Sequence, residues 1–198
     1  AYQDAEGNLF FSYELDSNSE IDVKINGQIE VDFAREAREK ELEIFRRPIL
    51  TETKGYWSLT NEYELNRLKL FLGRQGIVGD SIEDMDKETR QNFYEQSYRY
   101  VVERLKLVDF KSTSMESYSR QGVDHGIENL NSASPEDYVD LLTAIYRRYS
   151  VPTRMIEGYV SMLGENFYHS WLEFWDEGEG WQSVDPALEY YSKGNYFD

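Results

Sequence analysis

Apolar and polar positions change their period several times along this chain, and each change predicts an element. Between residues 9 and 33 the period is two. Leu9 to Leu15 is a short aromatic run, and Ile21 to Ile25 and Gln28 to Phe33 alternate on either side of Asn26-Gly27. Both residues of that dipeptide tolerate positive φ, so the pattern predicts a β-hairpin. Residues 34 to 47 read as a charged helix, with Glu36 and Lys40, and Glu43 and Arg47, spaced for i,i+4 pairing, and Pro48 as its stop. A second helix is predicted over 61 to 72, with Leu65, Leu68 and Leu72 on one face. The segment Gly73 to Asp80 holds three glycines but no following Gly-Lys-Ser/Thr, so it reads as a plain loop and not a phosphate loop. A long helix over 86 to 108 follows, its stripe made by Tyr94, Tyr98, Val101, Val102 and Leu105. The polar stretch from Lys111 to Ser132 is loop, with room for one short helix.

The next helix carries the clearest start signal. Ser134 suits the N-cap, Pro135 the first helical position, and Asp137 stands at capping-box spacing. Glu136 and Asp137 complement the positive end of the helix, and Arg147 and Arg148 the negative end. Tyr138, Leu141, Leu142, Ile145 and Tyr149 recur at three and four, which predicts one buried side. Strand-like runs then follow at Arg154 to Val160, Phe167 to Trp175 and Trp181 to Pro186, the last two joined by an acid and glycine turn. The best candidate division lies near residues 73 to 85, giving an N-terminal strand and helix extension over 1–85 and a second domain over 86–198.

Composition narrows the function classes. The 198 residues are 40% hydrophobic and 15% aromatic, enough for a core. A net charge of -17 argues against a nucleic-acid partner, whose phosphates need a basic face, and against an anionic membrane surface. No apolar run is long enough to span a bilayer, so no direct membrane insertion is expected, and no signal peptide is visible at Ala1. Cysteine is absent, which removes disulfides, thiolate metal sites and thiol catalysis together. His125 and His169 are 44 residues apart without a metal-ligand spacing. The acidic stretches Asp16 to Glu20 and Asp80 to Glu88 lack the pattern of a calcium loop. Neither a metal nor a cofactor is expected. Glu157, Glu165, Glu173, Glu177 and Glu179 read as solvated strand and turn carboxylates.

Three segments carry a family resemblance. Val151-Pro152-Thr153-Arg154 to Gly158-Tyr159-Val160, His169-Ser170-Trp171-Leu172-Glu173, and Gly180-Trp181-Gln182-Ser183-Val184-Asp185-Pro186 stand in order, with His169 and Asp185 16 residues apart. They resemble the "IPARxxxGY", "HAWVE" and "GWxxVDP" segments of transglutaminase-like proteins, over roughly residues 88 to 190. The resemblance implies a papain-like fold and a triad: a cysteine nucleophile at a helix N-terminus, a histidine base on a strand and an orienting aspartate. It assigns the base position to His169 and the orienting position to Asp185. The family's cysteine precedes the "PAR" arginine by 19 residues, and counting back from Arg154 reaches Pro135. Glu136-Asp137-Tyr138-Val139 fits the rest of that pattern, while Ala133 stands where the family has glycine. Proline supplies neither nucleophile nor backbone donor.

The expected fold class is therefore α+β, a helix packed on an antiparallel sheet with an N-terminal hairpin and helical extension. The expected function is that of a pseudoenzyme that binds a protein or peptide ligand in the remnant cleft, or assists assembly, with Ser134, Tyr138, Tyr168 and Trp171 as candidate binding residues. One alternative is a peptidase or acyltransferase whose nucleophile is replaced or engineered away, Ser134 being the nearest hydroxyl. Another is a structural spacer of a larger surface protein. His169 reads either as a buried histidine bonded to Asp185 or as part of a recognition pocket. Trp171, Trp175 and Trp181 read as core and sheet-face residues, some of which could line a groove. The expected setting is the cell surface or extracytoplasmic space of a bacterium, with the cytoplasm as the alternative.

Overall fold

The computed structural model describes residues 2–3, 9–10, 57–108, 121–162 and 165–188, with backbone alone at 2–3, 9–10, 159–162 and 165–166. The hairpin expected around Asn26-Gly27 and the helix expected over 34 to 47 lie outside the described residues. The chain forms two compact units, Ala1–Arg35 and Glu36–Asp198. In the first, β1 (Tyr2–Gln3) pairs antiparallel with β2 (Leu9–Phe10). The second holds, in order, α1 (Glu62–Arg74), a short 3-10 turn (Ile82–Asp84), α2 (Lys87–Arg104), α3 (Val123–Glu128), α4 (Pro135–Arg148), β3 (Thr153–Met162), β4 (Glu165–Asp176) and β5 (Gly180–Val184).

Capping chemistry sets where the helices begin. Asn61 Oδ1 accepts from the amide of Glu64 at 3.1 Å and starts α1. Asp86 Oδ1 accepts from the amide of Thr89 at 2.8 Å and starts α2. At α4 the expected capping box forms in both directions, the Ser134 amide donating to Asp137 Oδ2 at 2.8 Å and the Asp137 amide to Ser134 Oγ at 3.3 Å. The loop after α1 is a plain turn, with Gly76 at φ 78 and Gly79 at φ 133, angles that suit glycine.

The three later strands form one antiparallel sheet in the order β3-β4-β5. Thr153 pairs with Phe174 and Gly158 with His169 in an unbroken register, and Leu172 pairs with Val184. Side chains alternate across this sheet. Leu172 and Phe174 turn to the helices: the Phe174 ring lies 4.6 Å from that of Tyr94 and 5.0 Å from that of Tyr146. Phe167, His169 and Trp171 share the other side of β4, Phe167 meeting the imidazole edge-on and Trp171 lying nearly parallel to it.

α4 fills the centre, with Tyr138, Leu141, Leu142 and Ile145 fully buried. Two buried tyrosine hydroxyls are satisfied by backbone: Tyr138 donates to Leu105 O at 2.9 Å and Tyr146 to Tyr94 O at 3.1 Å. Burial pushes the Tyr146 and Tyr94 phenols well above their ordinary pKa. Leu68, Leu72, Ile77, Ile82 and Met85 belong to the same core as α2 and α4. α1 and the segment to Met85 therefore share one core with the residues after 86.

Candidate functional site

The N-terminus of α4 is built from three segments. Ala133 is pinned to the chain leaving α2, its amide donating to Lys106 O at 3.0 Å while Val108 donates to Ala133 O. Ser134 caps the helix, and Pro135 occupies its first turn, where its missing N–H leaves nothing unsatisfied. The Ser134 hydroxyl donates to Asp137 Oδ2 at 3.0 Å and accepts from the Asp137 amide, so both its hydrogen and a lone pair are in use. The other oxygen of Asp137 meets His125 Nδ1 at 3.0 Å, and Gly126 leaves the space in which Asp137 sits. Sequence reasoning missed this contact between α3 and α4. Its one local signal was the glycine beside His125, since a Cβ there would stand 3.0 Å from that of Asp137.

The sheet supplies the second part. His169 Nε2 lies 2.5 Å from Asp185 Oδ2, and both residues are buried, at 1% and 6% exposure. Asp185 Oδ1 accepts from the amides of Ala187 and Leu188 at 3.1 and 3.0 Å. One carboxylate thus caps the turn after β5 with one oxygen and holds the imidazole with the other. The Trp171 ring lies nearly parallel to the imidazole, 6.5 Å away at 17°, and overhangs Gly158, where a Cβ would come within 3.2 Å of the indole.

Helix and sheet are joined at the far end of α4. Arg147 donates to Thr153 O at 2.8 Å, and the Trp175 amide to Pro152 O at 2.9 Å. Pro135 lies 12 residues before Arg147, about 18 Å at helical rise. His169 lies five residues before Phe174, the register partner of Thr153, about 17 Å at strand rise. Each position therefore lies well away from the junction at which helix and sheet are joined.

The remaining expected binding residues fall in different settings. Tyr138 is fully buried with its hydroxyl on Leu105, a packing position. Tyr168 is half-buried and donates to Glu157 at 2.8 Å. Trp171 and Ser134 are half-buried. Glu173, read from sequence as a solvated carboxylate, is instead gripped by Arg154, whose Nε lies 2.7 Å away and whose guanidinium covers the Trp181 ring at 4.2 Å. The arginine, glutamate and tryptophan of the three motif segments thus form one cross-strand cluster, with Trp181 set edge-on to Trp175 at 5.7 Å. A cleft of about 1040 Å³ lies elsewhere, between α2 and the β4–β5 end, with Phe174, Asp176 and Asn92 in its lining.

The family model of the transglutaminase-like superfamily matches residues 80–186. A protein-glutamine gamma-glutamyltransferase of Pseudomonas aeruginosa is 28% identical over 78 residues, a stretch that takes in 34% of this chain and only 12% of that protein. Among solved structures, a Cytophaga hutchinsonii protein described as a cysteine protease superposes with a TM-score of 0.48 at 15% identity, covering 75% of this chain and 43% of that one. The periplasmic domain of TgpA from Pseudomonas aeruginosa gives a TM-score of 0.33 at 20% identity, covering 54% of this chain and 44% of that one.

Proposed function

Since the chain belongs to the transglutaminase-like superfamily, we propose that it acts as a pseudoenzyme of that family, a folded module that binds or assembles proteins without acyl transfer. The observation that carries this reading is the chemistry at the start of α4. Acyl transfer of the family's kind needs a thiolate there, favoured by the helix dipole and by an imidazole. Proline stands at that position, and the chain has no cysteine to replace it. The adjacent hydroxyl, Ser134, gives its proton to Asp137 rather than to a base. His169 and Asp185 hold the positions that the resemblance gives to base and orienting group, but their contact asks for no nucleophile: the same Asp185 carboxylate caps the turn after β5.

A protein or peptide partner at the remnant cleft would meet Trp171 beside His169; Ser134 is the half-buried member on α4, and Tyr168 alternates to the opposite face of β4. Such a partner would have to part packed side chains to reach His169, which favours recognition at the rim over entry of an extended chain. A bacterial cell-surface or extracytoplasmic setting belongs to the same proposal. Among the described residues no helix is long and apolar enough to cross a membrane.

Turnover tests the reading. A fluorescent primary amine and a glutamine-rich protein are incubated with the native chain and with His169→Ala, and both amine incorporation and ammonia release are followed. Both proteins should match the protein-free blank. Turnover by the native chain that His169→Ala abolishes would show a working acyl-transfer site and end the proposal.

A further inference from the structure

Helix α1 has two functional faces. Glu64, Leu68 and Leu72 point inward and are buried. Tyr63, Arg67, Leu70 and Arg74 follow the i, i+4, i+7, i+11 spacing that lays side chains along one outer stripe. Tyr63 and Leu70 are 70% and 66% exposed, unusual for large apolar side chains with a core at hand. With Phe71 and Tyr100, whose rings meet edge to face at 5.2 Å, this stripe lines a groove of about 440 Å³ between α1 and α2.

The charges in the groove stand against the rest of the molecule. The chain carries -17, and most of its described cations have found a carboxylate: Arg90 with Glu177, Arg99 with Glu95, Arg148 with Asp80, Arg154 with Glu173. Arg104, at the groove's edge, is held by Glu64 through two bonds of 2.9 Å. Arg67 and Arg74 are exposed; the charge of Arg67 reaches buried Glu64, whose direct bonds go to Arg104 and Tyr100. They are seven residues apart on one helix face, about 10 Å. The one carboxylate in the groove lining is Glu103, which leaves the two arginines in excess. Two guanidiniums alternating along the stripe with exposed Tyr63 and Leu70 combine forked donors for carboxylates with apolar contact beside them.

We propose that the groove between α1 and α2 docks a short acidic segment of a partner protein. Two of its Asp or Glu side chains meet Arg67 and Arg74, and the apolar side chains between them pack on Tyr63, Leu70 and Phe71. Charge selects a short segment over an extended polyanion. A nucleic acid or an anionic bilayer would bring many charges against a body of net -17, whereas two carboxylates at the groove interact within a Debye length of about 8–10 Å and leave distant repulsion screened. The docking surface needs no chemistry at His169 and stands whether or not the chain turns over substrate.

A random peptide library displayed on phage, panned on the full chain, tests this directly. Clones are counter-screened against Arg67→Glu/Arg74→Glu and, separately, against Tyr63→Ala/Leu70→Ala. Each altered chain is first checked for an unchanged circular dichroism spectrum. These are exposed positions, and two independent pairs keep the test decisive if one pair disturbs folding. Clones lost on both variants should be enriched in Asp and Glu beside Leu and Phe. The synthetic peptides should bind the charge-reversed chain at least tenfold more weakly, and the native chain more weakly as salt rises. The proposal is overturned if no clone distinguishes native from variant chains, or if the discriminating clones are basic. It is also overturned if phosphatidylglycerol vesicles sediment the native chain but not Arg67→Glu/Arg74→Glu, which would assign the groove to a membrane surface.

Discussion

Asp185 serves two masters with one carboxylate. Its Oδ1 is taken by the amides of Ala187 and Leu188, and its Oδ2 faces His169 Nε2. Truncating the histidine strips a buried oxygen of its partner and opens a void between Phe167 and Trp171, which flank the ring. Both effects cost free energy, and together they predict that His169→Ala loses about 2–4 kcal/mol of stability. Urea unfolding followed by tryptophan fluorescence measures it, and an unchanged midpoint would contradict a structural role for the pair. At this scale the sequence was informative where motif and spacing agree: the ordered segments pointed to His169 and Asp185 as a pair, and the structure brings them together. His125 was weighed only as a metal ligand, because its contact with Asp137 is made by packing α3 on α4, and no periodicity records that.

Elements built on local chemistry were legible, and contacts between elements were not. The start of α4 was readable from Ser134, Pro135 and Asp137 because a capping box closes within one turn. The strands were readable from alternation, and α2 from its stripe of Tyr94, Tyr98 and Val101. The lock between α1 and α2 was invisible. Glu64 and Arg104 are 40 residues apart, and a glutamate one turn into a predicted helix reads as a surface residue. In the fold it is fully buried, forms two bonds to Arg104 and accepts a short bond from the Tyr100 hydroxyl. Burial pushes its carboxyl up. The bonds from Arg104 and Tyr100 and the charges of Arg104 and Arg67 outweigh that, and hold it below the ordinary 4.5. A carboxylate whose folded-state pKa is depressed stabilises the fold above its unfolded pKa and ceases to as pH falls through the folded value. Glu64→Gln should therefore cost about 3 kcal/mol near pH 7, where Arg104 loses its charged partner. The gap between native and variant should shrink once pH falls below 4.5. Urea titrations at stepped pH read both; a gap that stays constant into acid would remove Glu64 as its source.

Among the described residues, the second unit is a layer of helices on a three-stranded antiparallel sheet, and its coarse class was readable in the sequence. Composition spoke for a core, and the order of helical and alternating segments spoke for α+β. The residues that join α1 to the rest, Leu68, Leu72, Ile77, Ile82 and Met85, share a core with α2 and α4, an arrangement set by tertiary contact that no local pattern records. Hidden too was the location of open surface. The resemblance directed attention to the start of α4, yet His169 and Asp185 are buried, while the described clefts lie along α2. His169 and Asp185 thus stand as a packed pair, and Pro135, matched to the family's cysteine only by its spacing to Arg154, offers no nucleophile. The most direct test is the intact-mass spectrum of the native chain after exposure to a fluorophosphonate, a reagent that labels hydroxyls activated by a neighbouring imidazole. The account predicts a single unmodified mass, because Ser134 gives its proton to Asp137. One adduct at Ser134, lost in His169→Ala, would contradict it and reveal a serine nucleophile working with the retained pair.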